Sequence, residues 1–151
     1  MSRIVMLDSG PLGMVTNPKT NISLHQECKL WLDNLPLLGY EVVLPEITDY
    51  EVRRELLRSN KLAGIRRLDQ LKAAITYLPI TTETMLLAAQ LWAEVRCQGR
   101  PTADSTALDG DVILAAQALL EQTENKEVIV ATTNVRHLSI FVDAREWHLI
   151  V

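Results

Sequence analysis

Cysteine is scarce in this sequence, and the two cysteines that occur do not form a recognisable pair. Cys28 and Cys97 lie far apart in the 151 residues, and no Cys-x-x-Cys spacing is present. This arrangement argues against a disulfide framework and against a zinc clip, and it is typical of a chain kept in a reducing compartment. We therefore expect two inert thiols and assign neither of them a functional role.

Long apolar segments are missing as well. The runs at residues 4–7 and 128–131 are far shorter than the roughly 20 apolar residues that a membrane-spanning helix requires. The N-terminal region also lacks the long apolar stretch of a secretory signal. We therefore expect a cytoplasmic protein with no membrane partner.

An overall basic excess, which is usual in proteins that coat nucleic acid nonspecifically, is also missing. The formal net charge is −4, which argues against a protein of that class. The charge is unevenly distributed, because residues 52–72 contain seven basic side chains against two acidic ones. This segment fits either the solvated faces of two amphipathic helices or a surface that binds phosphate. No G-x-G-x-x-G or G-x-x-x-x-G-K motif supports binding of a nucleotide cofactor.

What the sequence does contain is an alternation of short apolar runs and helical periodicities. With 48% hydrophobic and 23% charged residues, residues 1–151 are expected to form a single domain with its own core. The pattern predicts strands at residues 3–7, 41–44, 128–132 and 146–151, and helices at residues 23–35, 47–58, 61–75, 84–97 and 111–122. Short buried strands separated by helices predict an α/β fold with a mostly parallel central sheet and helices on both faces.

Three acidic residues stand at the ends of these predicted elements. Asp8 directly follows the first strand, Glu51 lies near the start of a helix, and Asp111 opens an apolar helix. Strand ends and the first turns of helices meet at one edge of such a sheet, so we expect the three side chains to lie together. A buried carboxylate needs a partner or a cation, and oxygen ligands suit Mg²⁺ or Mn²⁺. The pattern indicates a divalent-metal site and metal-assisted phosphodiester cleavage.

Each acid also has a purely structural interpretation. Residues 8–11 form an Asp-Ser-Gly-Pro segment that favours a helix start, with the Asp or Ser as its cap. Glu51 fits a surface pair with Arg54, and residues 109–111 fit a turn followed by a cap. The shared edge of the sheet is what favours the functional interpretation of all three acids together.

The order of these acids resembles that of the PIN-domain nucleases, and most of all the VapC-type toxins among them. The resemblance rests on Asp8 after the first strand, Glu51 within residues 47–54, Asp111 before an aliphatic-Ala-Ala helix, and the Thr-Thr-Asn segment at residues 132–134. It extends over nearly the full chain, and its most specific part is the helix after Asp111. It implies a three-layer α/β/α sandwich and a metal-dependent endoribonuclease, often dimeric and often inhibited by a small antitoxin protein.

By position, the resemblance makes Asp8, Glu51 and Asp111 the core acids that bind Mg²⁺ or Mn²⁺. The family's late motif commonly adds a fourth acid, but the corresponding positions of this chain hold Asn134 and His137. The usual fourth ligand is therefore missing in its usual form. We expect at least one divalent-ion site.

Four residues are candidates for the place of the fourth acid. Asn134 offers a carbonyl oxygen or can hold a water molecule, and we expect it to take part in catalysis. Asp109 lies two residues from Asp111 and can turn inward as a metal ligand, while Asp104 lies in a polar stretch nearby. His137 can instead bind metal or phosphate.

Further residues are expected to assist substrate binding. We expect Ser9 and Thr132 to orient water or phosphate by hydrogen bonding. Arg53 and Arg54, two and three positions after Glu51, are expected to contact the RNA backbone. For the two arginines, a solvent-facing position or a contact with a protein partner is the alternative.

For this chain, the resemblance thus implies an endoribonuclease that hydrolyses RNA phosphodiester bonds, acts as the toxin of a toxin-antitoxin pair, and forms a homodimer. The alternative is a PIN-like module that binds RNA or a protein partner without turnover, because Asn134 and His137 replace an acid. A phosphatase with Asp8 as nucleophile is disfavoured, since the haloacid-dehalogenase motif requires a second Asp where Gly10 stands.

Overall fold

The computed structural model of the chain describes residues 1–19, 22–99 and 105–151, with the side chains of residues 105–107 left out. The strands are β1 (Ser2–Leu7), β2 (Tyr40–Pro45), β3 (Thr76–Leu78), β4 (Lys126–Thr132) and β5 (Ala144–Glu146). The α-helices are α1 (Ser9–Thr16), α2 (Ser23–Asn34), α3 (Glu46–Arg58), α4 (Leu62–Ala74), α5 (Thr82–Gln98), α6 (Ser105–Glu121) and α7 (Val135–Leu138). Short 3₁₀ helices span Pro36–Leu38 and Trp147–Leu149.

Within the described ranges, the strands form one five-stranded sheet in the order β3-β2-β1-β4-β5, and each neighbouring pair is parallel. Strands β1, β2 and β3 lie side by side in chain order. The chain then crosses back, and β4 pairs with the other side of β1. In an open parallel sheet, such a reversal creates a crevice at the carboxyl ends of the two strands. Here that crevice lies beyond Leu7 of β1 and Thr132 of β4.

Side chains from the two faces of the sheet enter separate cores. Successive strand residues point to opposite faces, so Val5 and Leu7 of β1 pack with α1, α2 and α4. Ile4 and Met6 of the same strand pack on the other face with α6 and α7. Helix α5 covers the outer side of α6 through a third apolar cluster. The fold is the three-layer α/β/α sandwich with a parallel sheet that the sequence predicted.

The helix that was predicted to open at Asp111 extends upstream to Ser105, so Asp111 is its seventh residue. Glu51 is likewise the sixth residue of α3, which begins at Glu46. Neither acid lies in a first turn, so the expectation that the first turns of helices bring them to the edge of the sheet is wrong for both. The misleading signal was Gly110, which indicated a turn but lies inside the continuous helix.

The strand predicted at residues 146–151 is also wrong over most of its length. β5 ends at Glu146, and a 3₁₀ turn follows that buries Trp147 and, just beyond it, Ile150 in the core. Trp31 of α2 packs edge-to-face against Trp147 with 5.5 Å between ring centroids, and its indole N–H donates a 3.0 Å hydrogen bond to the Ile150 carbonyl. The ring contact and this hydrogen bond therefore hold the segment against α2.

Both cysteines are free thiols, with Cys28 buried and Cys97 exposed. Burial raises the pKa of Cys28 to about 12, which keeps that thiol protonated and unreactive at neutral pH. In the part of the chain that the structure describes, no helix has the length and apolar character needed to cross a membrane.

Candidate metal centre

Asp8 lies in the crevice beyond β1 and β4 and caps the N-terminus of α1. Its Oδ1 accepts a 2.7 Å hydrogen bond from the Ser9 backbone N–H, and its Oδ2 accepts a 2.7 Å hydrogen bond from the Thr132 hydroxyl. Asp8 is thus both a helix cap and a side chain at the strand edge. Burial raises the pKa of Asp8, although the hydrogen bonds from Thr132 and Ser9 lower it. The net rise means that burial has a larger effect on the pKa of Asp8 than its hydrogen bonds have.

Thr132 ends β4 and links Asp8 to the late segment of the chain. Its hydroxyl donates to Asp8 and accepts a 2.8 Å hydrogen bond from the Asn134 backbone N–H. The side-chain amide nitrogen of Asn134 lies 3.0 Å from Nδ1 of His137. Asn134 and His137 are therefore connected to Asp8 by hydrogen bonds through Thr132, at the carboxyl edge of the sheet.

Glu51 and Asp111 lie near Asp8 on α3 and α6. Burial raises the pKa of Glu51 to about 7; the charge of Asp8 adds to this rise, the charge of Arg54 opposes it, and Asp111 contributes a further increase. Burial also raises the pKa of Asp111 to about 6, with Asp8 adding to the rise. These mutual effects mean that the structure brings the three predicted acids into one neighbourhood, although they are far apart in the sequence.

The three acids are neighbours, but their carboxylates do not converge on one point. Among the residues that the structure describes, no group of three His, Cys, Asp or Glu side chains is close enough to hold a metal ion. The donor chemistry fits a hard divalent ion, since all three side chains offer carboxylate oxygens.

Gln117 of α6 fixes the helix that carries Asp111 against the rest of the fold. It is buried, its Nε2 donates a 2.9 Å hydrogen bond to the Leu78 carbonyl of β3, and its Oε1 accepts a 3.4 Å hydrogen bond from the Ile47 N–H of α3. Sequence reasoning missed this residue. The available signal was a lone amide side chain within the otherwise apolar residues 112–120.

Asp109 is exposed and lies apart from the other acids. It lines a cavity of about 410 Å³ between α5 and α6, together with Met85, Trp92 and Val112. Two residues along a helix are roughly 200° apart, so Asp109 and Asp111 leave α6 on nearly opposite sides. The structure therefore does not bring Asp109 to the acid cluster, and Asp104 lies outside the described residues.

The two predicted arginines have different surroundings. Arg53 donates to Asp49 at 3.0 Å and to Asp69 at 2.8 Å, so its guanidinium joins α3 to α4. Arg54 is exposed, lies 5.0 Å from the centroid of the Tyr50 ring, and is close enough to Glu51 to lower its pKa. Of the two, Arg54 is the one whose charge acts on the acid cluster.

The fold is similar to that of several solved structures. They include VapBC2 from Rickettsia felis bound to a DNA fragment from its promoter, VapBC-1 from nontypeable Haemophilus influenzae, and FitAcB from Neisseria gonorrhoeae, each with a TM-score of 0.68. Sequence identity is 16%, 20% and 24%, respectively. The similarity covers 95%, 96% and 97% of this chain, and 98%, 98% and 99% of the other chains.

Sequence comparison identifies the family directly. A model of the PIN domain matches residues 20–139, a range that includes Glu51, Asp111 and Asn134. Asp8 precedes the matched range, and the structure connects it to that range through the hydroxyl of Thr132. No significant match was found among curated protein sequences. Because the matched range makes up most of the chain, the resemblance noted in the sequence is confirmed: the chain belongs to the PIN domain family.

Proposed function

We propose that the chain is a Mg²⁺- or Mn²⁺-dependent endoribonuclease that hydrolyses RNA phosphodiester bonds. The observation that carries this proposal is the electrostatic coupling of Asp8, Glu51 and Asp111 in the crevice at the strand ends. Perturbed carboxylates grouped in a crevice are common at catalytic sites. Membership of the PIN family supports nuclease chemistry, and PIN nucleases generally use divalent metals.

Asp8, Glu51 and Asp111 are the residues that would hold the ion. A divalent ion bound there would act as a Lewis acid toward water and would neutralise charge that develops on the phosphate. Asp8 is oriented in advance, because both of its carboxylate oxygens accept hydrogen bonds. Glu51 and Asp111 have raised pKa values, so binding of a cation to their carboxylates would release protons.

The late segment supplies the group that replaces the family's fourth acid. The Asn134 backbone is bound to the same Thr132 hydroxyl that holds Asp8, which keeps the residue beside the acid cluster. With its amide nitrogen donating to His137, Asn134 has an amide oxygen available for a water molecule or the cation. We therefore assign this supporting role to Asn134 and a positioning role to His137.

Two other side chains are suited to bind the phosphate backbone of RNA. The Ser9 hydroxyl is close enough to Asp8 to lower its pKa, and the Arg54 guanidinium is exposed beside Glu51. Arg53 is already engaged with Asp49 and Asp69, so we assign it to the packing of α3 on α4. The expected RNA contacts therefore come from α1 and α3.

We further propose that the enzyme is the toxin of a toxin-antitoxin pair, bound by a small protein antitoxin and active as a homodimer. The similarity to VapBC structures over nearly the whole chain supports the toxin role. Exposed apolar side chains on α5, namely Met85, Leu86 and Trp92, are available for contact between chains.

Cleavage of a pooled, structured RNA in Mg²⁺, Mn²⁺ or EDTA tests the proposed activity. The wild type is expected to cut in either metal and not in EDTA. Asp111→Asn should lower the rate by a factor on the order of 10² or more, because even substitutions in the outer shell of a metal site cost roughly 10- to 100-fold. Asp109→Asn is the matched control, since it removes the same charge from the same helix outside the acid cluster.

Cutting that persists in EDTA would contradict metal dependence. Equal loss of activity in folded Asp109→Asn and Asp111→Asn would contradict the assignment of the acid cluster. A folded wild type that binds RNA but does not cut it would instead favour the alternative function, a PIN-like module that binds RNA without turnover.

A further inference from the structure

Gly110 stands where the side chain of Glu51 meets α6. A Cβ atom built on Gly110 would lie 2.6 Å from Oε2 of Glu51 and 3.2 Å from its Cδ. Carbon and oxygen atoms that are not bonded do not approach to 2.6 Å. The Glu51 carboxylate therefore occupies space that the side chain of any other residue at position 110 would need.

Backbone conformation does not explain this glycine. Gly110 lies inside α6, and the glycines with positive φ in the described residues are Gly39 and Gly99. Glycine is an unfavourable residue in the interior of a helix, and alanine is the most favourable one. What the structure does show at this position is the space that Gly110 leaves for the Glu51 carboxylate.

We propose that Gly110 is a positioning residue that lets the Glu51 carboxylate lie against α6 beside Asp111, where both acids can reach one cation. This inference rests on the proposed metal-dependent function. It adds that the cation site also requires a glycine at position 110. A methyl group at position 110 pushes the Glu51 carboxylate away from α6. The added methyl group replaces none of the three acids, but it weakens the cation site that they share.

The chain offers a matched control in Gly13. Gly13 lies inside α1, and a Cβ atom built on it meets no other atom within 4 Å. Gly13→Ala therefore gains the helix preference of alanine without a contact. It should raise the midpoint of thermal unfolding by roughly 1–4 °C, the range expected for such a substitution in a protein of this size.

A thermodynamic cycle without metal tests the contact between Gly110 and Glu51. In EDTA, Gly110→Ala in the wild-type background should raise the unfolding temperature by less than Gly13→Ala does, because the displaced carboxylate offsets the gain. In a Glu51→Ala background the contact is gone, and Gly110→Ala should give the full increase. Equal effects of Gly110→Ala in the two backgrounds would overturn the inference.

Titration with Mn²⁺ tests the positioning role. Gly110→Ala should lower Mn²⁺ affinity at least tenfold while the protein stays as folded as the wild type, and Gly13→Ala should bind Mn²⁺ like the wild type. Unchanged affinity in Gly110→Ala would overturn the positioning role even if the stability cycle shows the contact. A wild type that binds no Mn²⁺ would overturn the proposed metal site and this role with it, whereas the stability cycle would still report separately on the contact.

Discussion

Thr132 is the residue on which the orientation of Asp8 depends. Its hydroxyl is fully buried, donates to Oδ2 of Asp8 and accepts from the Asn134 N–H. One hydroxyl therefore connects the first acid of the chain to the segment that replaces the fourth. A carboxylate held in this way loses little freedom when a cation binds, which favours binding.

Replacing this hydroxyl tests its role. Thr132→Val keeps the shape of the side chain but leaves Asp8 Oδ2 and the Asn134 N–H without their buried partner. We expect the free energy of unfolding to fall by about 1–3 kcal/mol, the usual cost of an unsatisfied buried polar group, and RNA cleavage to fall with it. Urea unfolding and the cleavage assay measure the two effects.

Thr132→Ser is the control because it retains the hydroxyl. It should keep most of the cleavage activity. A loss of activity as large in Thr132→Ser as in Thr132→Val would show that the methyl group, and not the hydrogen bonds, is what matters.

Sequence reasoning predicted the three acids but not the residues that arrange them. Asp8, Glu51 and Asp111 could be predicted because a charge beside apolar segments needs a partner, and that need is visible in the sequence. Gly110 and Gln117 could not be predicted in the same way. Their contacts join α6 to α3 and β3, and those contacts exist only once the helices have packed.

At the level of secondary-structure elements, the packing of α6 against α3 brings Asp111 close to Glu51. Gln117 contributes to this packing from a position about two turns beyond Asp111 on α6. Gln117→Leu would leave the Leu78 carbonyl without its buried donor. We expect a loss of about 1–3 kcal/mol in the free energy of unfolding, and weaker Mn²⁺ binding because α6 is less firmly held.

Gln90→Leu on α5 is the matched control for this substitution, since that glutamine is exposed. Surface changes of this kind usually alter stability by less than about 0.5 kcal/mol. Chemical denaturation of both variants makes the comparison. Equal stability of Gln117→Leu and Gln90→Leu would contradict the bridging role of Gln117.

The elements that the sequence predicted best are the long ones. Helices α2 to α5 and strands β1, β2 and β4 were found because their periodicities repeat over several turns or fill a whole buried strand. Helix α1, strand β3 and helix α7 were not predicted from periodicity, since helices of eight and four residues complete only about one or two turns and β3 has only three residues. Asp8-Ser9-Gly10-Pro11 did indicate a helix start, and α1 begins there.

On the scale of the whole molecule, the order of strands creates the site. β1 and β4 are neighbours at the reversal of the sheet, so the residues that follow them meet in one crevice although more than a hundred positions separate them in sequence. Alternating strands and helices predicted a parallel sheet whose carboxyl edge carries the site, but they did not predict the strand order that places β4 beside β1. The separations among the carboxylates could not be predicted either, because they depend on side-chain packing between α3 and α6.

The coupled acids should give the metal-free protein an unusual dependence of stability on pH. The pKa of Glu51 rises from an ordinary value of 4.5 to about 7 in the folded state. The folded state therefore holds this proton more tightly than the unfolded state, so the associated stability is present below pH 4.5 and is lost as the pH rises through about 7. Asp111 contributes in the same direction between 3.8 and about 6.

Glu51→Gln removes the titrating group and keeps the shape of the side chain. In EDTA, the unfolding temperature of Glu51→Gln relative to the wild type should increase between pH 4.5 and 7.5. Thermal unfolding across this pH range measures the difference. A difference that stays constant or decreases with pH would contradict the raised pKa of Glu51.

Calorimetric titration of Mn²⁺ into the wild type and into Glu51→Gln at pH 6.5, in two buffers of different ionisation enthalpy, tests the central claim most directly. The claim is that Asp8, Glu51 and Asp111 form one cation site. We predict that the wild type binds Mn²⁺ and releases protons on binding, because Glu51 and Asp111 are partly protonated at this pH. Glu51→Gln should bind more weakly and release fewer protons. No binding by the wild type, or equal affinity and proton release in the two proteins, would contradict the claim.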